Sequence, residues 1–267
     1  MPKQACLFWL KTKSMSFLRK IRLKSIVDGD VKKHGFFMIA EMLLIILGIT
    51  GALQLDNWNN THNNTQAETL ILEQLSVEFE LVENSINTKL EELHAKDSLL
   101  FNLYKSCGTE ITDYPKDDVV GWVAKGISQE NLTMYQGVLE DAINTGSLTL
   151  IKNDSLRIHL YSWKTGVLYV QDHISITNED ISVFLRDIYN DISFRNYDNA
   201  YFPEIDLGDS EFEYDPNELF TDIYFENITG VLYFRNKILI KHIDNKLLVP
   251  LKSIRSLIDS ELSERKL

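Results

Sequence analysis

The stretch FFMIAEMLLIILGITGALQLDNWNN, residues 36–60, decides how the chain is organised. Nearly every side chain in residues 36–55 is apolar, and the one ionisable residue among them is Glu41. An α-helix of this length rises about 30 Å, which is the thickness of the hydrocarbon core of a bilayer. Trp58 follows at the depth where aromatic rings anchor in the membrane interface. The stretch therefore predicts a transmembrane helix over residues 36–55.

Charge is distributed unevenly on the two sides of this span. Residues 1–35 hold nine Lys or Arg and two Asp, a charge of +7, whereas residues 56–267 hold 18 basic and 36 acidic residues, a charge of −18. Because basic flanks stay in the cytoplasm, this pattern predicts a single-pass signal anchor with its N-terminus in the cytoplasm and its C-terminal domain on the other side of the membrane. A cleaved signal peptide is one competing interpretation, but the apolar run is long for one and no A-x-A-like site follows it. A buried helix of a soluble protein is the other.

The basic head, residues 1–35, contains an amphipathic juxtamembrane segment. Its positive charges include Arg19, Lys20, Arg22 and Lys24. We expect these four side chains to contact anionic lipid headgroups, each contributing about 1 kcal/mol to membrane binding. The alternative is that they set the topology and have no further role.

The region after the span is polar and then becomes periodic. Residues 56–65, DNWNNTHNNT, are either a short hinge leaving the membrane or the solvated start of the next helix. The domain over residues 66–267 begins with apolar residues spaced by three and four, which is a helical stripe close to a heptad seam typical of coiled coils. These are Leu72, Leu75, Phe79, Val82, Ile86, Leu90 and Leu93. This helix is predicted to end near Cys107–Gly108, where glycine is a C-terminal signal.

Two further long helices are predicted. The first runs from Ser155 to about Ser193, with Asn153 or Asp154 as its N-cap. Its buried stripe comprises Leu156, Leu160, Trp163, Val167, Val170, Ile174, Ile181, Leu185, Ile188 and Ile192, and Tyr169 is also assigned to the core. The last helix runs from about Gly230 to Leu267, and Pro250 is expected to kink or divide it. Its apolar set is Leu232, Ile238, Leu239, Ile243, Leu247, Ile254, Leu257, Ile258 and Leu262.

An acidic connection, residues 196–227, separates these two helices. Ten Asp or Glu and no Lys or Arg lie between Asp198 and Glu226. Several carboxylates together suit calcium, but the segment lacks the D-x-[DN]-x-[DN]-G spacing of a calcium loop. We interpret it as a solvated acidic loop, which is either disordered or folded over the helices.

These elements predict a mainly α fold: a single N-terminal transmembrane helix followed by an extracytoplasmic antiparallel helical bundle. Scarcity of glycine (12) and proline (5) agrees with long helices. The two cysteines, Cys6 and Cys107, would lie on opposite sides of the membrane, so they cannot form a disulfide with each other. Cys107 is expected to be a buried free thiol.

One face of the predicted span combines an acid with small residues. At 100° per residue, Gly48 and Ala52 lie within about 20° of Glu41. Such a small-xxx-small pair lets a second helix approach closely, so we predict a helix–helix interface, either homo-oligomeric or with a membrane-protein partner, with Glu41 protonated or hydrogen-bonded across it. In the alternative, Glu41 snorkels to the cytoplasmic surface or pairs there with Lys33 or His34.

No residues are assigned to catalysis, to a cofactor or to a metal. The six histidines are scattered, and G-x-S-x-G, Walker and G-x-G-x-x-G motifs are absent. His159 and His173 are expected at the surface or as satisfied core residues. The charge of −18 on residues 56–267 would repel phosphates, which argues against a nucleic-acid partner.

Two stretches resemble a known family of bacterial membrane proteins. They are FLRKIRLKS…AEMLLIILGITGALQLDNWN (17–59) and LEDAINTGSLTLIKNDSLRIHLYSW (139–163). They are similar to domain of unknown function 6090, common in Bacteroidetes, whose members join a basic FxRKIR-like head to an apolar span and an SG-L-LI-N–LR–L–YY-like segment. Here Ala40 replaces a usual glycine, Asp56 a usual asparagine, and Ser162–Trp163 the paired tyrosines. The resemblance implies an inner-membrane protein with a periplasmic bundle, and it implies no activity.

Two functions are compatible with this pattern. The first is a membrane-anchored, non-enzymatic interaction or scaffold protein of the cell envelope. The second is a periplasmic small-ligand sensor that signals through a separate partner. The sensor ranks second because residues 1–35 are too few for a cytoplasmic output domain.

Overall fold

The computed structural model describes residues 31–108, 110, 113–188, 191–205 and 207–265, with backbone alone for 31–34 and 37. All regular structure in these residues is helical, so the prediction of a mainly α fold is confirmed. Internal contacts divide the chain into an N-terminal unit, Met1–Gln66, and a C-terminal unit, Ala67–Leu267.

The described residues form seven α-helices. They are α1 (Val31–Ser106), α2 (Lys116–Gly126), α3 (Gly137–Asn144), α4 (Asp154–Asp187), α5 (Phe194–Tyr201), α6 (Ile223–Ile243) and α7 (Val249–Glu264). Three 3₁₀ turns lie at Ser147–Leu150, Pro203–Ile205 and Pro216–Thr221, and a π-helical turn, Asp244–Leu248, joins α6 to α7.

Helix α1 contains the predicted span, residues 56–65 and the first apolar stripe of the C-terminal unit. Residues 56–65 are helical, and their side chains are exposed except for the half-buried Thr65, as in the second of the two interpretations of this polar segment. No proline occurs in α1 to interrupt it. The helix ends at Ser106, and the N–H of Gly108 then donates to the carbonyl of Phe220 at 2.9 Å.

The starts of α4 and α6 are fixed by side-chain caps. The carboxamide oxygen of Asn153 accepts the N–H of Leu156 at 3.0 Å, which selects Asn153 from the two predicted N-caps. Helix α4 ends at Asp187, earlier than predicted. Helix α6 starts at Ile223, seven residues before the predicted Gly230, because Asp222 caps it by accepting the N–H of Tyr224 at 2.9 Å.

Two apolar cores lie along the C-terminal unit. Core A joins α1, α3, α4, α6 and α7 through side chains such as Phe79, Trp163 and Ile254, and core B joins α1, α2, α4 and α6 through side chains such as Leu103, Phe184 and Phe225. Following the chain, α1 and α4 pass from core A to core B, whereas α6 passes from core B to core A. Helix α6 therefore runs in the opposite direction to α1 and α4.

Two residues assigned to the core from the sequence lie outside it. Tyr169 is 40% exposed, because it sits on the flank of α4 beside the buried Val167 and Val170. Ile238 is 48% exposed beside the buried Leu239. Both assignments were wrong for the same reason: an apolar residue next to a stripe position points about 100° away from it.

The described part of the acidic connection is folded rather than extended. Helix α5 packs on α2, and the 3₁₀ turn at Pro216–Thr221 contributes Leu219 and Phe220 to core B. Cys107 is a free thiol, half-buried rather than buried, and its Sγ lies 3.3 Å from the carbonyl oxygen of Leu103. Burial raises the pKa of this thiol, so it is a poor nucleophile.

Candidate functional site

The predicted membrane face lies on α1 in the N-terminal unit. Glu41, Gly48 and Ala52 all belong to this helix, and Gly48 and Glu41 are exposed. A β-carbon placed on Gly48 would have no atom within 4 Å in the described chain. This helix is long and apolar enough to cross a membrane, and no residue of its most apolar window is buried within the protein.

The other predicted membrane contacts have different outcomes. Trp58 is 69% exposed, and its ring stacks on His62 with centroids 6.0 Å apart. An exposed ring here is free to meet a headgroup region. Arg19, Lys20, Arg22 and Lys24 lie outside the described residues.

A layer of polar side chains separates core A from core B, and the sequence analysis missed it. We define the polar layer as Lys89, Lys96, Glu130, Thr177 and Asn236. Each has at most 8% of its surface exposed, although all five are polar or charged. Burial of such groups is unfavourable unless they find hydrogen-bond or ion-pair partners inside the protein.

Three long helices supply the stripe positions of this layer, with two positions on α1 and one each on α4 and α6. Lys96 follows the buried Leu93 by three residues and precedes Leu100 by four, and Thr177 stands in the same relation to Ile174 and Ile181. On α6, which runs the opposite way, the spacings are reversed for Asn236. Polar residues at stripe positions of these three helices were the sequence signal that would have found the helical part of the layer.

Glu130 is the acid at the centre of the layer. Its Oε2 lies 2.5 Å from Nζ of Lys89, and its Oε1 accepts a hydrogen bond from Nζ of Lys96. Lys89 also pairs with the exposed Glu92 at 3.1 Å. Two ammonium groups and two carboxylates thus form a charge-balanced network, which removes much of the electrostatic penalty of burial.

The backbone segment that carries Glu130 is held by Asn178 of α4. The Asn178 side chain accepts the N–H of Glu130 and donates to its carbonyl, both at 2.7 Å. Lys96 donates to the carbonyl of Ser128 at 2.5 Å. These bonds fix the segment between α2 and α3, which contains no regular structure, against α1 and α4.

Protonation in this network follows the balance of burial and charge. Burial opposes ionisation of Glu130, but the ammonium groups of Lys96 and Lys89 outweigh it and hold the pKa of Glu130 below its ordinary value. Burial lowers the pKa of Lys96, and the Glu130 carboxylate offsets only part of that effect. Burial acts the same way on Lys89, yet Glu130 and Glu92 together raise its pKa.

A second feature is an apolar groove on the surface of the C-terminal unit. It has a volume of about 710 Å³ and runs between α1 and the segment before α3. Leu70, Val77 and Leu81 line one wall and are each about half exposed, and Tyr135 lines the other. Glu78 closes its floor and accepts the N–H groups of Val138 and Leu139 at 2.6 and 3.0 Å.

A third feature brings two histidines together. The rings of His173 on α4 and His242 on α6 lie 4.5 Å apart, with Tyr169 against both. Burial, then His173 and Lys246, lower the pKa of His242. A pair of imidazoles is short of a metal centre, and no group of three or more metal-ligating side chains occurs among the described residues.

Comparisons with known proteins found no relative of this chain. No model of a protein family matches the chain, and neither the curated proteins nor the solved structures contain a match.

Proposed function

We propose that this chain is a membrane-anchored, non-enzymatic interaction or scaffold protein of the cell envelope. The observation that carries the proposal is the apolar segment of α1, whose most apolar window has a mean hydropathy of 2.0 and no buried residue. Apolar side chains that the protein does not cover are stabilised by lipid or by another protein. The resemblance to domain of unknown function 6090 is in keeping with this role.

The orientation follows from the charges on either side of the span. Residues 1–35 carry +7 and the part after residue 55 carries −18. We propose an N-terminus in the cytoplasm and a C-terminal unit in the periplasm, as a bundle in which α6 and α7 run antiparallel to α1 and α4. A fusion of alkaline phosphatase after Leu267 should be active. If a fusion at residue 34 is active instead, the proposed topology is wrong.

The proposed interface within the membrane is the face that carries Glu41, Gly48 and Ala52. Small residues let a second helix approach closely, and a neighbouring helix gives the carboxyl of Glu41 a hydrogen-bonding environment. A homo-oligomer and a complex with a different membrane protein both use this face in the same way.

The test is affinity purification from native membranes in mild detergent. Wild type is compared with Glu41→Leu, Gly48→Leu and the control Gly51→Leu, and co-purifying proteins and complex mass are measured. We expect a defined partner or oligomer in the wild type and the control, and its loss in the two face variants. A monomer that purifies alone in every sample refutes the interface.

A periplasmic small-ligand sensor is the second candidate, and the groove beside α1 favours it. Its volume of about 710 Å³ falls in the range of about 300–1,000 Å³ typical of small-molecule sites. An apolar fluorescent dye should bind the full chain in detergent-free nanodiscs and lose affinity in Val77→Asp. Ile158→Asp is the control, because Ile158 is exposed and lies outside the groove. This variant should bind the dye as tightly as the wild type does.

A further inference from the structure

A small enclosed cavity lies inside the polar layer. Its lining includes Lys96, Glu130, Thr177 and Asn236, together with apolar side chains of both cores such as Leu100. The cavity volume is about 10 Å³, which leaves room for a water molecule.

One polar atom in the lining lacks a protein partner. Asn236 is 4% exposed, and its Nδ2 donates to the carbonyl of Leu93 at 3.0 Å, which fixes the orientation of the amide. Its Oδ1 is buried and has no hydrogen-bond partner among the described residues. An unsatisfied buried acceptor destabilises a fold by about 1–3 kcal/mol, so a ligand that donates to it is strongly favoured.

The other polar groups of the lining have hydrogen-bonding capacity left. The ammonium of Lys96 has three N–H donors, of which two go to Glu130 and to the carbonyl of Ser128, and the third has only a long contact of 3.5 Å with the hydroxyl of Ser128. The hydroxyl of Thr177 donates to the carbonyl of His173 at 2.9 Å, and its oxygen retains lone pairs that can accept.

We infer that the polar layer binds one internal water molecule between Asn236, Lys96 and Thr177. The water accepts from Nζ of Lys96 and donates to Oδ1 of Asn236 and Oγ1 of Thr177. This makes the three hydrogen bonds that buried waters typically form. A metal cation is excluded by the facing ammonium of Lys96, and an anion is excluded by the carboxylate of Glu130 and the acceptor oxygen of Asn236.

The water completes the link between the three long helices at the boundary of the two cores. Lys96 lies on α1, Thr177 on α4 and Asn236 on α6. Through the water, each helix is hydrogen-bonded to the other two at one level, which disfavours sliding of one helix along its neighbours. A buried polar contact of this kind is best known for fixing register.

The test is a crystal structure of the full chain at about 2 Å resolution or better, for the wild type, Asn236→Leu and Thr229→Val. Thr229 is a buried threonine of α6 that donates to its own helix, at the carbonyl of Phe225, and it does not line the cavity. We expect a density peak within about 3 Å of the three polar atoms in wild type and Thr229→Val, and its loss in Asn236→Leu.

Two results overturn the inference. One is a wild-type map in which the cavity is empty or Oδ1 of Asn236 bonds to a protein group. The other is a peak that persists unchanged in Asn236→Leu. The wild-type map decides the question even if the leucine variant does not fold.

Discussion

The carbonyl oxygen of Lys246 faces the α-carbon of Gly166 so closely that a β-carbon there would lie 2.6 Å from it. Lys246 belongs to the π-helical turn between α6 and α7, four residues before Pro250. Proline has no N–H to donate to that carbonyl. The predicted division of the last helix at Pro250 is therefore a single π-helical turn. Gly166, the one glycine of α4, leaves the space that this wider turn occupies.

Replacement of Gly166 by alanine should therefore destabilise the C-terminal unit. The new methyl group meets a backbone atom, which cannot move without shifting a helix, so we expect a loss of about 1–3 kcal/mol in the free energy of unfolding. The measurement is chemical denaturation of the full chain followed by circular dichroism. Gly121→Ala in α2, where a β-carbon meets nothing within 4 Å, should stabilise by about 0.5–1 kcal/mol. Equal effects of the two substitutions would contradict the close contact.

Removal of the central acid of the polar layer should have a larger effect. Glu130→Gln leaves Lys96 and Lys89 buried without their shared counter-charge, and we expect a loss of about 3–5 kcal/mol in the free energy of unfolding. The matched control is Glu92→Gln, because the side chain of Glu92 is 59% exposed and exposed pairs contribute about 0–1 kcal/mol. A change below 1 kcal/mol for Glu130→Gln would show that the network is not buried as described.

The histidine pair should make stability depend on pH. Because the pKa of His242 is lowered in the folded state, the unfolded state binds more protons and stability rises with pH. The contribution is fully present above about pH 6.5 and is lost as pH falls through the folded pKa. The groups that act on His242 are His173 and Tyr169 of α4, whose rings it contacts, and Lys241 and Lys246, whose positive charges lower its pKa further.

The corresponding measurement is the melting temperature between about pH 7.5 and 5.5. In His242→Gln the decrease on acidification should be smaller than in the wild type. His159→Gln is the control, since His159 lies on α4, bonds to the carbonyl of Ser155 and contacts no other ring in the described chain. If the His242 variant and the control retain the same pH dependence as the wild type, the prediction for His242 is wrong.

The helices of the C-terminal unit were predictable because their burial is periodic. The stripe from Leu72 to Leu93 is buried as expected, apart from the partly exposed Leu90. The spacing of three and four also placed Trp163 in core A correctly. Caps were predictable where their chemistry is local, as at Asn153, whose oxygen needs a partner only three residues away.

The candidate site was not predictable to the same extent. Glu130 lies in a segment without periodicity, so no local pattern links it to Lys89 and Lys96, although both lysines occupy stripe positions of α1. The start of α6 at Ile223 was not predicted, because the acidic sequence around it was interpreted as a loop, although Asp222 is a good N-cap. The contact of His173 with His242 joins residues 69 positions apart, and no local pattern indicates such a pairing.

The face of α1 around Gly48 carries the proposed interface within the membrane. Cross-linking in native membranes tests this interface most directly. Single cysteines are introduced at each position from 44 to 55 in a chain that carries Cys6→Ser and Cys107→Ser, and cross-linked species are quantified. We expect cross-linking to a second copy or to another protein with a helical repeat of about 3.6 residues, and therefore maxima at positions 48 and 52 and again near positions 44–45 and 55. Uniform cross-linking, or none at any position, would contradict the proposed interface.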